Sequence, residues 1–149
     1  MAIARGAGTE IIRCASFTDM DSGGIQLIIG VQHHIYTVLS IVFCNVAIQA
    51  AGNNLYIYLT GYDSKDGDSA DAIQILTHSG TLHETFVWND KFSFNGTEPT
   101  DFAGPLDNVT KQDAIADQGS SVAQVLKAYS AHADDQWEVM VTYIDQNNA

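Results

Sequence analysis

Four histidines are the first residues of this sequence whose type and spacing could hold a metal ion. His33 and His34 are adjacent, and His78 precedes His83 by five positions. Adjacent residues of a strand point to opposite faces, so we do not expect His33 and His34 to chelate one ion together. His78 and His83 would meet only across a hairpin. We therefore interpret all four as polar strand or turn positions and predict no zinc site.

The acidic segment from Asp63 to Asp71 could supply the oxygen ligands that calcium prefers. It reads Asp-Ser-Lys-Asp-Gly-Asp-Ser-Ala-Asp. Lys65 occupies the third position of a loop that begins at Asp63, where the EF-hand pattern needs an oxygen ligand. We expect a solvated turn here, and the sequence predicts neither a bound metal nor a cofactor.

No familiar catalytic motif is present. The sequence lacks a Gly-rich phosphate-binding loop and a Gly-x-Ser-x-Gly nucleophile elbow, and neither Cys14 nor Cys44 lies in a cysteine-nucleophile signature. A hydrolase would need paired carboxylates in a cleft, and the candidates Glu84 and Asp90 have no supporting pattern. We therefore predict that the chain is not an enzyme and has no catalytic residues.

The two cysteines both lie in apolar runs that are typical of strands. We expect Cys14 and Cys44 to be buried, reduced thiols that pack as small apolar side chains. A disulfide between them is the alternative, although a domain of this size does not need one.

Five aromatic residues could line a face that binds sugars or proteins. They are Tyr56, Tyr58, Trp88, Phe92 and Phe94. Tyr56 and Tyr58 are two positions apart in a strand-like run, so they share one face. Packing into the core is the commoner fate of such residues, and exposure at an interface is the alternative with functional meaning.

The charge of the chain excludes two classes of partner. Its 149 residues include 18 acidic and 6 basic side chains, and the formal net charge is −12. Its lysines and arginines are scattered singly, whereas a nucleic-acid binder needs a concentrated basic face. An anionic membrane would repel the chain for the same reason. The sequence thus predicts no nucleic-acid partner and no membrane partner.

Short β-prone runs separated by Gly, Asn and Asp dominate the pattern. We predict strands over 10–17, 25–29, 34–49, 55–60, 91–94, 121–131 and 136–144, from their β-branched and aromatic content and their alternation. The nearly continuous hydrophobicity of 34–49 predicts a strand buried on both faces. The strongest apolar stretch, 35–51, is interrupted by polar residues and is shorter than the roughly 20 residues of a membrane-spanning helix.

Two hairpins are predicted from turn signals. Gly52-Asn-Asn54 joins the long run before it to the strand 55–60, and Ser79-Gly80 joins 73–78 to 82–88. One short helix is predicted near 110–118, because Thr110 can cap it and Gly119 can stop it. The fold class is therefore all-β, a single-domain β-sandwich or jelly roll of about eight strands. The domain covers 9–149, after a small-residue N-terminal arm over 1–8 that we expect to be flexible.

Three segments resemble small β-sandwich virion proteins of tailed bacteriophages, of the type that cements or decorates capsids. They are His33-His-Ile-Tyr-Thr-Val-Leu-Ser40, Phe86-Val-Trp-Asn-Asp-Lys-Phe-Ser-Phe-Asn-Gly96 and Val141-Thr-Tyr-Ile-Asp-Gln146. The resemblance implies a homo-oligomer, commonly a trimer, that binds the major capsid protein and stabilises the head. It also implies a location on the capsid exterior after synthesis in the host cytoplasm.

Two other roles remain as hypotheses from the sequence. A phage tail or head–tail component would have a similar sequence. A carbohydrate-binding or receptor-binding β-sandwich module would instead show exposed aromatic side chains on one face.

Overall fold

The computed structural model describes residues 8–49, 53–62, 70–99, 109 and 121–147, and these form eleven strands. The strands are β1 (Thr9–Met20), β2 (Ile25–Ile29), β3 (His34–Ala47), β4 (Asn54–Tyr62), β5 (Ala70–Ser79), β6 (Thr85–Trp88), β7 (Phe92–Asn95), β8 (Thr97–Pro99), β9 (Ser121–Ala123), β10 (Val125–Ser130) and β11 (Gln136–Asn147).

The strands form two main antiparallel sheets. Sheet A has the order β1-β11-β3-β6, and β7 continues the line of β6 because both pair with β3 on the edge away from β11. Sheet B has the order β2-β10-β4-β5, and β8 pairs with β9 in a small third ladder. If β6 and β7 are counted as one interrupted strand, each sheet contains four strands. The neighbouring pairs are then β1 with β11 and β3 with β6/β7 in sheet A, and β2 with β10 and β4 with β5 in sheet B. This pairing is the connectivity of an eight-stranded jelly roll, so the predicted all-β sandwich is confirmed.

The positions of the strands agree with the sequence pattern. β2 has the predicted bounds, β7 differs by one residue at each end, and β11 begins at the predicted Gln136. β1 is longer than predicted and extends to Met20 through a register irregularity after Phe17. The predicted helix at 110–118 and the predicted arm, apart from Gly8, lie outside the described residues.

Both predicted hairpins are wrong. β3 lies in sheet A and β4 in sheet B, so the connection at Asn53 and Asn54 crosses between sheets instead of joining neighbouring strands. The Ser79-Gly80 turn likewise leads from β5 in sheet B to β6 in sheet A. Turn residues allow the chain to reverse, but the choice of partner depends on which sheet can bury the apolar side of the next strand.

A buried carboxylate stabilises the crossing between β3 and β4. Asp135, fully buried beside the start of β11, accepts hydrogen bonds at Oδ1 from the Gln49 backbone N–H (3.0 Å) and the Asn53 side-chain amide (2.9 Å). Its Oδ2 accepts the Ser130 hydroxyl, whose oxygen in turn accepts the Trp137 indole N–H at 3.3 Å. One side chain therefore joins two parts of the chain that are distant in sequence, Gln49 and Asn53 in the one and Ser130 and Trp137 in the other.

The core lies between the two sheets, and β3 is buried only on the face that points into it. Along β3, Tyr36, Val38, Ile41 and Phe43 are buried, while the intervening residues are half-buried or exposed. The prediction that this strand is buried on both faces is wrong, because among the described residues only sheet B packs on sheet A. Several outward residues of β3, such as Ile35 and Val42, are apolar, and no layer among the described residues covers them.

Candidate functional site

The four histidines lie in different surroundings. His33 is in the turn before β3 with a φ of 64°, so the strand alternation assumed for it is wrong, and His34 begins β3. His78 lies on β5 against Phe86, with 4.5 Å between ring centroids, whereas His83 is in an exposed turn with a φ of 63°. The described residues contain no group of three or more His, Cys, Asp or Glu side chains arranged to hold a metal ion.

The acidic residues considered for chemistry are also separated. Residues 63–69 of the acidic segment lie outside the described ranges, and Asp71 pairs with Gly61 in sheet B. Glu84 and Asp90 flank the four-residue strand β6 at opposite ends. At about 3.3 Å per residue they are more than about 13 Å apart, beyond the spacing that paired glycosidase carboxylates use.

The cysteines share a face but cannot join. Both are free thiols, and Cys14 is exposed, which corrects the expectation that it is buried, while Cys44 is half-buried. Cys14 is on β1 and Cys44 on β3, with β11 between them. Two strand spacings place their Cα atoms at least about 9 Å apart, farther than a disulfide allows.

The five predicted aromatic residues divide between two surfaces. Tyr56 and Tyr58 share the outer face of sheet B, as predicted, and the Tyr58 ring stacks on that of Tyr129 with 5.2 Å between centroids. Trp88, Phe92 and Phe94 lie instead on the inner side of sheet A, where Phe94 is buried and the other two are half-buried at the edge of the core.

A polar cleft missed by the sequence reasoning lies at the other end of the sandwich. The register of sheet A places Arg13 opposite Tyr143, and Asp145 opposite Tyr36, all on the inner face. Asp145 is buried, and its carboxylate lies 2.9 Å from the Nε of Arg13 and 2.6 Å from the Nδ1 of His34. Because a carboxylate only accepts, Nδ1 of His34 carries the proton of that hydrogen bond.

The cleft has a volume of about 330 Å³, and Leu27, Ile28 and Val31 contribute to its apolar wall. Burial, followed by the nearby Asp145 carboxylate, raises the pKa of Tyr36. Burial also raises the pKa of Tyr143, with Arg13 opposing this and Asp145 adding to it. Both phenols therefore stay protonated at neutral pH and can donate hydrogen bonds into the cleft.

The lining of this cleft offers hydrogen-bond donors and acceptors beside an apolar wall. Its lining residues include no serine, threonine or cysteine, so the described residues place no aliphatic hydroxyl or thiol beside His34. The Asp145 carboxylate orients the imidazole, but a nucleophile for that imidazole to activate is not among the lining side chains. No sequence motif points to this cluster, because Arg13 and Asp145 are 132 positions apart.

The outer face of sheet A is the second candidate surface. The register aligns Ser16, Met140, Val42 and Val87 in one row across four strands. Ile12, Met140 and Val87 are 71%, 41% and 46% exposed, and a hollow of about 240 Å³ opens beside Val42. Among the outward-facing residues in the described ladders of this sheet, only Glu10 and Glu138 are charged. We call this surface the neutral face.

The comparisons add no relative to these observations: no family model, curated protein or solved structure matches the chain. In the part of the chain that the structure describes, we find no helical segment with the length and hydrophobicity needed to cross a bilayer.

Proposed function

We propose that this chain is a structural virion protein, a capsid decoration subunit that associates with copies of itself and binds the shell of a tailed-bacteriophage head. The observation that carries the proposal is the neutral face. It combines exposed apolar side chains with an almost complete lack of charge, on a chain whose formal net charge is −12.

Electrostatics favour this face for assembly. Two copies of a strongly acidic chain repel each other, and the repulsion acts over a Debye length of about 8 Å at physiological ionic strength. Contact through the neutral face brings only Glu10 and Glu138, among its described ladder residues, into the interface. It also removes Ile12, Val87 and Met140 from water, a gain of about 25 cal/mol for each Å² of apolar surface buried.

The resemblance to decoration proteins supplies the partner and the location. In this proposal the partner is the major capsid protein, and the subunit lies on the capsid exterior. A jelly roll in which the described residues leave one sheet face without a covering layer suits such a role, which requires no catalytic step. Because a jelly roll hosts many functions, the fold alone does not select this one.

Binding to undecorated heads tests the proposal. Purified chain is mixed with heads that lack their decoration protein, pelleted, and located by electron microscopy of the labelled particles. We expect saturable binding to the shell. Failure to sediment with such heads, or binding confined to tails, would overturn the proposal.

Two matched variants test the neutral face itself. Met140→Glu adds one carboxylate to this face, and Ala72→Glu adds one to an exposed position of sheet B. We expect Met140→Glu to weaken self-association, measured by sedimentation velocity, at least tenfold, while Ala72→Glu has little effect. Equal responses to the two substitutions would show that the neutral face is not the interface.

A further inference from the structure

An aromatic groove lies between β6 and β7 at the edge of sheet A and β4 and β5 of sheet B. Trp88 ends β6 and Phe92 begins β7, and the three residues between them leave the ladder with β3. Leu59 and Ile75 of sheet B face them across a cavity of about 310 Å³. We call this cavity the Trp88 groove. Its volume is at the lower end of the range for small-molecule sites.

Trp88 is the last ring of a continuous aromatic stack. The stack runs from His34 through Tyr36, Phe94 and Phe92 to Trp88, with successive centroids 6.1, 5.4, 6.3 and 5.5 Å apart and interplanar angles of 25° to 29°. Among the described residues no further ring stacks on Trp88. The indole is thus held by its neighbours before any ligand binds, which lowers the entropy cost of binding.

Polar groups of both charges surround the indole. Asp90, Lys91 and Ser93 all line the groove and are exposed. The carboxylate accepts hydrogen bonds, the ammonium donates them, and their formal charges cancel. Asp90 would repel an anionic ligand, and Lys91 would repel a cationic one. A wholly apolar ligand would remove water from both charged side chains without replacing their hydrogen bonds.

We propose that the Trp88 groove binds a neutral sugar unit of a glycan, with the apolar C–H side of the ring on Trp88 and its hydroxyls hydrogen-bonded to Asp90 and Lys91. A pyranose ring has one side lined by C–H groups and a periphery of hydroxyls that both donate and accept. It therefore matches a preorganised indole surface beside an acceptor and a donor. This binding activity is independent of the proposed assembly role.

The full-length chain is first applied to an array that carries neutral oligosaccharides of glucose, galactose and N-acetylglucosamine, together with sialylated glycans. Neutral glycans that bind on the array are then titrated in solution by tryptophan fluorescence. The chain has two tryptophans, and Trp137 is only 1% exposed, so acrylamide quenching reports mainly on Trp88. We expect a Kd below about 1 mM for at least one neutral oligosaccharide, and protection of Trp88 from quenching.

Three variants identify the site. Asp90→Asn changes an exposed side chain and should weaken binding about tenfold, since a charge-assisted hydrogen bond is replaced by a weaker neutral one. Trp88→Ala should abolish glycan binding. If Trp88→Ala does not fold, the affinity of Asp90→Asn still tests the site. Tyr58→Ala removes an aromatic ring from the other sheet and should leave the affinity unchanged. The proposal is overturned if no neutral glycan binds, or if Tyr58→Ala rather than Asp90→Asn weakens binding.

Discussion

Removal of the Asp135 carboxylate should destabilise the fold more than any single surface change. Asp135→Ala deletes three hydrogen bonds, those from Gln49, Asn53 and Ser130, and the groups left behind are partly or fully buried. At about 1 kcal/mol net for each bond, the expected loss in the free energy of unfolding is about 3 kcal/mol. For a chain of this size that corresponds to a fall in Tm of roughly 10 °C.

The pH dependence of the same site has a definite sign. Burial acts to raise the pKa of Asp135, but the hydrogen bonds from Gln49, Ser130 and Asn53 outweigh it, and the pKa is lower than the ordinary value. The unfolded chain therefore binds more protons than the folded chain in the acid range. The stabilisation is fully present above the unfolded-state pKa of about 4 and is lost as the pH falls through the lower folded-state pKa.

Urea denaturation at pH 7 and at pH 3 measures both the loss in the free energy of unfolding and its dependence on pH. Asp135→Asn retains one acceptor oxygen and should lose less stability than Asp135→Ala at pH 7, and either substitution should flatten the acid dependence. Asp134→Asn is the control, since the Asp134 side chain is adjacent in sequence but 76% exposed. If Asp135→Ala stays within about 0.5 kcal/mol of the wild type, the range for a neutral surface change, our reading of the network is wrong.

Three further predictions use other parts of the molecule. Gly30→Ala would bring a Cβ within 1.8 Å of a backbone carbonyl oxygen on a neighbouring segment, so we expect a loss of at least about 2 kcal/mol in chemical denaturation. Under mild oxidation, mass spectrometry of digests should find no disulfide between Cys14 and Cys44 of one chain, and finding one would contradict the sheet order. The hydrogen bond that the Tyr129 hydroxyl donates to Tyr58, followed by burial, raises the pKa of Tyr129 to about 12. Ultraviolet titration should therefore detect a late-ionising phenol, and Tyr58→Phe should return its pKa toward 10.

The places where strands form were largely determined by the sequence itself. The alternation in Gln136–Asn147 and the β-branched run in His34–Ala47 are local properties, and both segments are strands. A strand needs only side chains that suit an extended, half-buried backbone. The shared face of Tyr56 and Tyr58 followed from the same two-residue period.

The pairing of those strands was decided by the tertiary structure. The turns at Asn53 and Ser79-Gly80 have the residues of hairpins, yet each carries the chain to the opposite sheet. Turn propensity is a local energy of the backbone. The choice of partner strand depends instead on the total apolar surface that the two whole sheets bury together. The residues of one short turn do not determine that total.

The candidate sites depend on the same non-local pairing. Arg13 meets Asp145 only because β1 pairs with β11, and Trp88 meets Leu59 only because the two sheets pack face to face. The sequence identified Trp88 and Phe92 as residues capable of recognition, since this depended on residue type alone. Their common location in one groove required the packing of the two sheets, because side chains from separate strands converge only after the core between them has formed.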